Sequence, residues 1–159
     1  MRIFVVSDTH GRTKEFIDRV DRMEKADLII HLGDYVEDGL KIEKKTGIKT
    51  IIVRGNCDFL SPGYSEEEIL NIEGKKIFIT HGHKYNVKYR IDNLIYKGLE
   101  MEADMVLFGH THVPVLHKES DIIIMNPGSP SVPRGVDRRK TFGIIDMGEG
   151  MDIRIEEID

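Results

Sequence analysis

Short apolar runs that stop at polar, glycine-bearing clusters set the rhythm of this chain. Ile3-Phe4-Val5-Val6 runs into Ser7-Asp8-Thr9-His10-Gly11, and the run from Leu28 to Leu32 ends at Gly33-Asp34. Ile51-Ile52-Val53 leads to Arg54-Gly55-Asn56-Cys57-Asp58, Ile77-Phe78-Ile79-Thr80 to His81-Gly82-His83, and Met105-Val106-Leu107-Phe108 to Gly109-His110-Thr111-His112. A continuous apolar run of about 4–8 residues bounded by turn signals reads as a buried strand. Between the first runs, Phe16, Ile17, Val20 and Met23 recur at helical spacing, which predicts a helix over Thr13–Lys25 with Thr13 as its N-cap.

Strands alternating with helices up to about Val53 imply parallel βαβ units. The pattern then changes: 66–80 reads as two strands joined at Glu73-Gly74-Lys75, 87–101 as a helix and 104–109 as a strand. From Val113 onward strands dominate, in the segments VPVLH, IIIMN, FGIIDM and MDIRIEEI, with a hairpin turn at Gly148-Glu149-Gly150 and a loop over Asn126–Arg139. These elements predict an α/β fold of two stacked mixed sheets with helices outside. Every polar cluster follows the C-terminal end of a predicted strand, the edge where α/β folds bind ligands.

Length and charge narrow the function. A chain of 159 residues with 40% hydrophobic and 32% charged residues reads as a single domain, 1–159, with a sizeable core. The net charge is −5, and the densest basic run is only Arg138-Arg139-Lys140, which argues against a nucleic-acid polymer as partner. One cysteine excludes an intramolecular disulfide and Cys-rich zinc sites. Neither a signal-peptide core nor an apolar run near 20 residues occurs, so a cytoplasmic protein without a membrane span is expected. The half-apolar C-terminal strands leave room for a homodimer.

Five clusters carry residues able to bind metal: Asp8 with His10, Asp34, Asn56, His81, and His110 with His112. In extended chain, residues two apart point the same way, so Asp8 with His10 and His110 with His112 should each reach one cleft. The donors are carboxylate, amide and imidazole without thiolate, which suits Mn, Fe, Zn, Ni or Co. Seven such donors, one able to bridge, match two ions better than one. Any one cluster is ordinary turn chemistry; it is the recurrence at five strand ends that points to metal. Of the remaining histidines, His31 reads as a hydrogen-bonded core residue and His117 as an exposed strand end, while His83 is open between a supporting residue, a substrate contact and neither.

In this order, SDTHG, GD, GNCD, THGH and GHTH resemble the motifs of the calcineurin-like metallophosphoesterases, and over effectively the whole chain. Size, the GNCD variant and NPGS at Asn126–Ser129 resemble the compact phosphodiesterases of the YfcE type. The resemblance implies a four-layer α/β/β/α sandwich. It also implies two divalent ions, manganese first, with Ni, Co, Zn or Fe as alternatives. Asp8, His10 and His112 would hold one ion, Asn56, His81 and His110 the other, and Asp34 would bridge them.

A metal-bridging hydroxide at Asp34, Asn56 and His81 is then expected to attack a small phosphodiester in line. Asn56, Cys57, Arg12 and Ser129 are candidate substrate contacts, with Asn126 and Arg134 as weaker ones. Two departures stand out. Cys57 occupies the position where many relatives place a histidine acid, so good leaving groups should be favoured. Asp38 replaces the arginine of the GDxVDRG motif of protein phosphatases. A phosphomonoesterase and a non-catalytic scaffold of the retromer-subunit type are the alternatives.

Overall fold

The computed structural model describes residues 1–159. Its first three strands, β1 (Arg2–Val6), β2 (Leu28–His31) and β3 (Thr50–Ile52), pair in parallel, joined by helices α1 (Lys14–Val20) and α2 (Val36–Thr46). The chain then builds a second sheet from β4 (Glu67–Ile72), β5 (Lys75–Thr80), β6 (Met105–Leu107), β7 (Pro114–Glu119) and β8 (Ile122–Pro127), with helix α3 (Asp92–Glu100) between β5 and β6. It returns to the first sheet with β9 (Thr141–Met147) and β10 (Met151–Glu157). Strand order is β10-β9-β1-β2-β3 in one sheet and β4-β5-β6-β8-β7 in the other.

Three apolar layers follow from the alternation of side chains along these strands. Ile3, Val5, Ile30, Ile77, Ile79, Leu107, Met125 and Ile145 meet between the two sheets. On the outer face of the first sheet, Phe4, Val6, Ile29 and Phe142 pack against Phe16 and Val20 of α1 and Ile42 of α2. On the outer face of the second, Phe78, Val106, Ile122 and Ile124 cover Leu94 of α3. The result is the expected α/β/β/α sandwich, with β1, β2, β3, β5 and β6 delivering their C-terminal ends to one rim. No helix is long and apolar enough to cross a membrane.

The boundaries differ from the sequence expectation in three places. The first helix ends at Val20 rather than Lys25, because Asp21 to Met23 close in a tighter turn with Arg22 N–H to Arg19 O and Met23 N–H to Val20 O. Thr13 precedes that helix but does not cap it: its hydroxyl makes no cap bond and is buried without a partner. The helix expected over 87–101 begins only at Asp92, after a turn in which Tyr89 N–H bonds Asn86 O. The turn between β4 and β5 is built from Glu73 (φ 48°) and Gly74 (φ 74°), the two left-handed residues that a tight hairpin requires.

Candidate metal centre

Each candidate ligand leaves its strand through a sharp reversal. Asp8 and His10 follow β1, Asp34 follows β2, Asn56 and Cys57 follow β3, His81 follows β5, and His110 and His112 follow β6. Asp8, His10, Asp34, His110 and His112 have φ between 46° and 68°. The extended-chain premise for the two ligand pairs is therefore wrong: each pair meets one cleft because its backbone turns left-handed at both ligands. Glycines make the crowding possible. A Cβ at Gly55 would lie 2.2 Å from Asp34 Oδ1, and one at Gly109 would lie 1.9 Å from Ser7 Oγ.

The carboxylate and imidazole donors of the expected ligands form two groups, beside a third in which Cys57 joins His10 and Asp34. In one, single donors of Asp8, His10 and His112 all lie within 4.8 Å of one another; in the other, those of Asp34, His81 and His110 do so. Between the groups, His10 Nε2 stands 3.7 Å from Asp34 Oδ2, and His81 Nε2 is 3.8 Å from Asp8 Oδ1. Asp34 Oδ1 lies 3.3 Å from His81 Nε2 and also accepts the Cys57 N–H at 3.0 Å. Asp8 Oδ2 accepts the His110 N–H at 2.9 Å, while its buried Oδ1 has no hydrogen-bond partner and sits 3.3 Å from His112 Nε2.

Backbone carbonyls fix two of the rings. His81 Nδ1 donates to Leu32 O at 2.8 Å and His112 Nδ1 to Val132 O at 2.7 Å, so both turn Nε2 inward. That second contact is how metal-binding histidines are commonly oriented. An unpartnered buried carboxylate oxygen facing inward imidazole nitrogens is a donor set short of a cation, and a divalent transition ion fits it.

Protonation points the same way. Burial works against charge on Asp34, but the hydrogen bond and charge of His81 and the Cys57 N–H outweigh it, holding the carboxyl well below its usual range. Burial lowers the His81 pKa, but Asp34 and Asp8 more than offset it and raise it overall. A metal ion would compete with that proton for Nε2. Burial, helped by the His81 charge, pulls His110 down to about 4, and burial also lowers His112. Both therefore offer lone pairs at neutral pH.

The remaining expected residues have distinct places. Asn56 is exposed and its Nδ2 contacts Cys57 Sγ at 3.7 Å. Cys57 Sγ lies with His10 and Asp34 donors inside 4.8 Å, and burial together with the Asp34 charge pushes the thiol up to about 11. Ser129 is fully buried; its hydroxyl donates to Asp8 O at 2.8 Å and accepts the Val132 N–H, so it braces the ligand loops from beneath. Asn126, also buried, donates to Gly109 O and Thr111 Oγ1. Arg134 is exposed and its positive charge helps depress His112. Arg12 is exposed at a groove of about 310 Å³ shared with Lys14, Lys41 and Lys140. The His83 ring lies tilted against that of His81, with centroids 5.5 Å apart and planes at 50°.

Two supporting roles were missed. Asp58 is buried, and its carboxylate gathers the N–H groups of Tyr35, Val36 and Gly55, tying the β2 and β3 loops together. Asp38, the residue in the arginine position of protein phosphatases, accepts the Gly11 N–H at 2.7 Å and so steadies the loop that carries His10. The only local signal for Asp58 was its place three residues after Gly55, whose N–H it accepts at 2.7 Å; Asp side chains commonly bond nearby backbone in turns.

Residues 1–150 match the calcineurin-like phosphoesterase superfamily domain. The chain belongs to that superfamily. It is a phosphoesterase hydrolase of the metal-dependent class. It is 41% identical over 140 residues to a probable metallophosphoesterase of Methanocaldococcus jannaschii, covering 84% of this chain and 70% of that one. To the phosphodiesterase YfcE of Escherichia coli K12 it is 27% identical, covering 92% and 88% respectively. A crystal structure of a predicted phosphoesterase from Streptococcus pneumoniae superposes with a TM-score of 0.82 at 31% identity, covering 98% of this chain and 88% of that one. Vps29 of Entamoeba histolytica, solved with Zn²⁺, shares the fold at TM-score 0.80 and 19% identity over the full length of both chains.

Proposed function

We propose that this phosphoesterase hydrolyses a small phosphodiester at a centre of two divalent cations, with Asp8, His10 and His112 holding one, His81, His110 and Asn56 the other, and Asp34 between them. The observation that carries this reading is the pair of donor triads, each within 4.8 Å, with a carboxylate in each. The similarity to a phosphodiesterase supports the diester class.

Bound there, such ions would supply Lewis acidity toward a phosphoryl group and would lower the pKa of water. The chain's own groups do the rest. Asp8 and Asp34 provide buried negative charge that concentrates cations at the cleft. The Leu32 and Val132 carbonyls keep His81 and His112 in the ligating orientation. Asn56, which is exposed, would offer its amide oxygen to a cation and its Nδ2 to a phosphoryl oxygen. Cys57 stays protonated at neutral pH and is a poor acid toward a departing alkoxide, which favours substrates with acidic leaving groups. Manganese is the first ion to try, since hard and borderline donors are mixed here without thiolate.

The test is to strip the protein of metal, restore Mn²⁺, and measure bound metal and bis-p-nitrophenyl phosphate turnover in wild type, His110→Ala and His112→Ala. Two ions and turnover in wild type, with about one ion and at least 100-fold slower turnover in each variant, are expected. Turnover absent with Mn, Ni, Co and Zn alike would instead favour a scaffold of the kind that shares this fold.

A further inference from the structure

We propose that Tyr35, Phe59 and Leu60 form a recognition rim that seats an aromatic or heteroaromatic ester group of the substrate. This rests on the phosphoesterase site described above and names the chemistry of the substrate that it takes.

Three observations converge. Phe59 is 74% exposed, Leu60 83% and Tyr35 41%, an unusual outlay of large apolar surface for one loop cluster. Scattered exposed hydrophobics are ordinary, but contiguous ones beside a cleft mark a binding surface. Second, the three follow candidate ligands in the chain, on loops that share one buried carboxylate. Tyr35 directly follows Asp34, and Phe59 comes two residues after Cys57, whose Sγ belongs to a donor group with His10 and Asp34. Asp58 sits between Cys57 and Phe59 and accepts the Tyr35 N–H at 2.8 Å, so one buried carboxylate ties both halves of the rim to each other.

Third, Tyr35 adopts φ 82° and ψ 77°, a left-handed conformation that is strained for an aromatic residue. That conformation sets its ring edge-on to the His10 ring, with centroids 5.2 Å apart. A glycine or asparagine would satisfy the turn without strain; the aromatic ring is what the strained position supplies. A phosphoryl group on the candidate ligands leaves its ester substituents only a bond or two away. A flat aromatic group can then bury against the rim and stack on Tyr35 or Phe59. A methyl or glyceryl ester would leave the rim wet.

The experiment measures dissociation constants of inorganic phosphate, methyl phosphate and phenyl phosphate for the Mn-loaded protein by calorimetry, a readout independent of turnover. Wild type should bind phenyl phosphate at least 10-fold more tightly than methyl phosphate. The double variant Phe59→Ser/Leu60→Ser, both positions exposed and uninvolved in the core, should reduce that ratio below about 3 while leaving inorganic phosphate within twofold. Tyr35→Asn should reduce it as well. A ratio near 1 in wild type, or a large ratio that the double variant does not change, overturns the rim. So does a double variant that only dissociates a dimer, which would assign these side chains to a second copy of the chain. Failure of inorganic phosphate to bind the loaded protein would overturn the phosphoester site itself, and the rim with it.

Discussion

The His31 ring lies fully buried in β2, accepting the Gly33 N–H on Nδ1 at 3.3 Å and facing Thr9 Oγ1 with Nε2 at 3.1 Å. With Nδ1 accepting, the neutral Nε2–H tautomer donates to Thr9, and a second proton would find no acceptor. Burial accordingly pulls its pKa to about 4 from the ordinary 6.5. The unfolded chain takes up that proton below pH 6.5 while the folded chain refuses it until about 4. Its contribution is therefore complete above pH 6.5 and is lost as pH falls toward 4, about 3 kcal/mol in all. Urea unfolding of metal-free protein across that window should show stability falling more steeply in wild type than in His31→Gln; parallel profiles would refute the assignment.

At the scale of elements, the site depends on loops that meet within van der Waals contact. Gly55→Ala would press a methyl group toward Asp34 Oδ1 (2.2 Å), the Asp34 nitrogen (2.7 Å) and His81 Cδ2 (2.9 Å). The backbone nitrogen cannot yield as a side-chain end can, so both candidate ligands must move. Metal affinity or turnover should fall about 10- to 100-fold, read by competition with a fluorescent chelator, whereas Gly148→Ala, with open space around it, should leave both unchanged.

Strands and their order of appearance were legible because apolar runs and turn residues report burial and reversal directly. The ligand set was legible because donor residues stand where those runs stop. What escaped depends on partners distant in sequence. Asp58 acts through N–H groups at 35 and 36, and Ser129 through a carbonyl at 8; neither pairing leaves a local trace. Backbone handedness escaped as well, since Asp and His at a strand end look alike whether the chain continues straight or turns left.

For the molecule as a whole, the candidate centre straddles the two sheets. Asp8, His10 and Asp34 come from the first sheet, His81, His110 and His112 from the second, and each donor triad draws on both. A cation bound to either triad would therefore tie sheet to sheet across the rim of the core. Ligand held by the folded state alone adds about 2.7 kcal/mol at 100 times its dissociation constant. Reloading stripped protein with Mn²⁺ should thus raise Tm by about 5–10 °C in scanning calorimetry. Asp34→Ala, which removes the carboxylate between the triads, should shrink that increment to less than half.

Five candidate ligands sit in left-handed backbone, His10 among them at φ 46°. Such conformations cost a side-chain-bearing residue roughly 1 kcal/mol relative to glycine. The cleft has thus been kept at a loss to the empty protein, a trade of durability for activity. His10→Gly should make the metal-free chain more stable than wild type by about 1 kcal/mol while losing the share of the metal gain that comes from the Asp8, His10 and His112 site, so that the two unfolding curves cross as Mn²⁺ is titrated in. Glycine would suit these backbone angles better, so the aspartates and histidines that stand there supply donor atoms at the expense of the empty protein's stability.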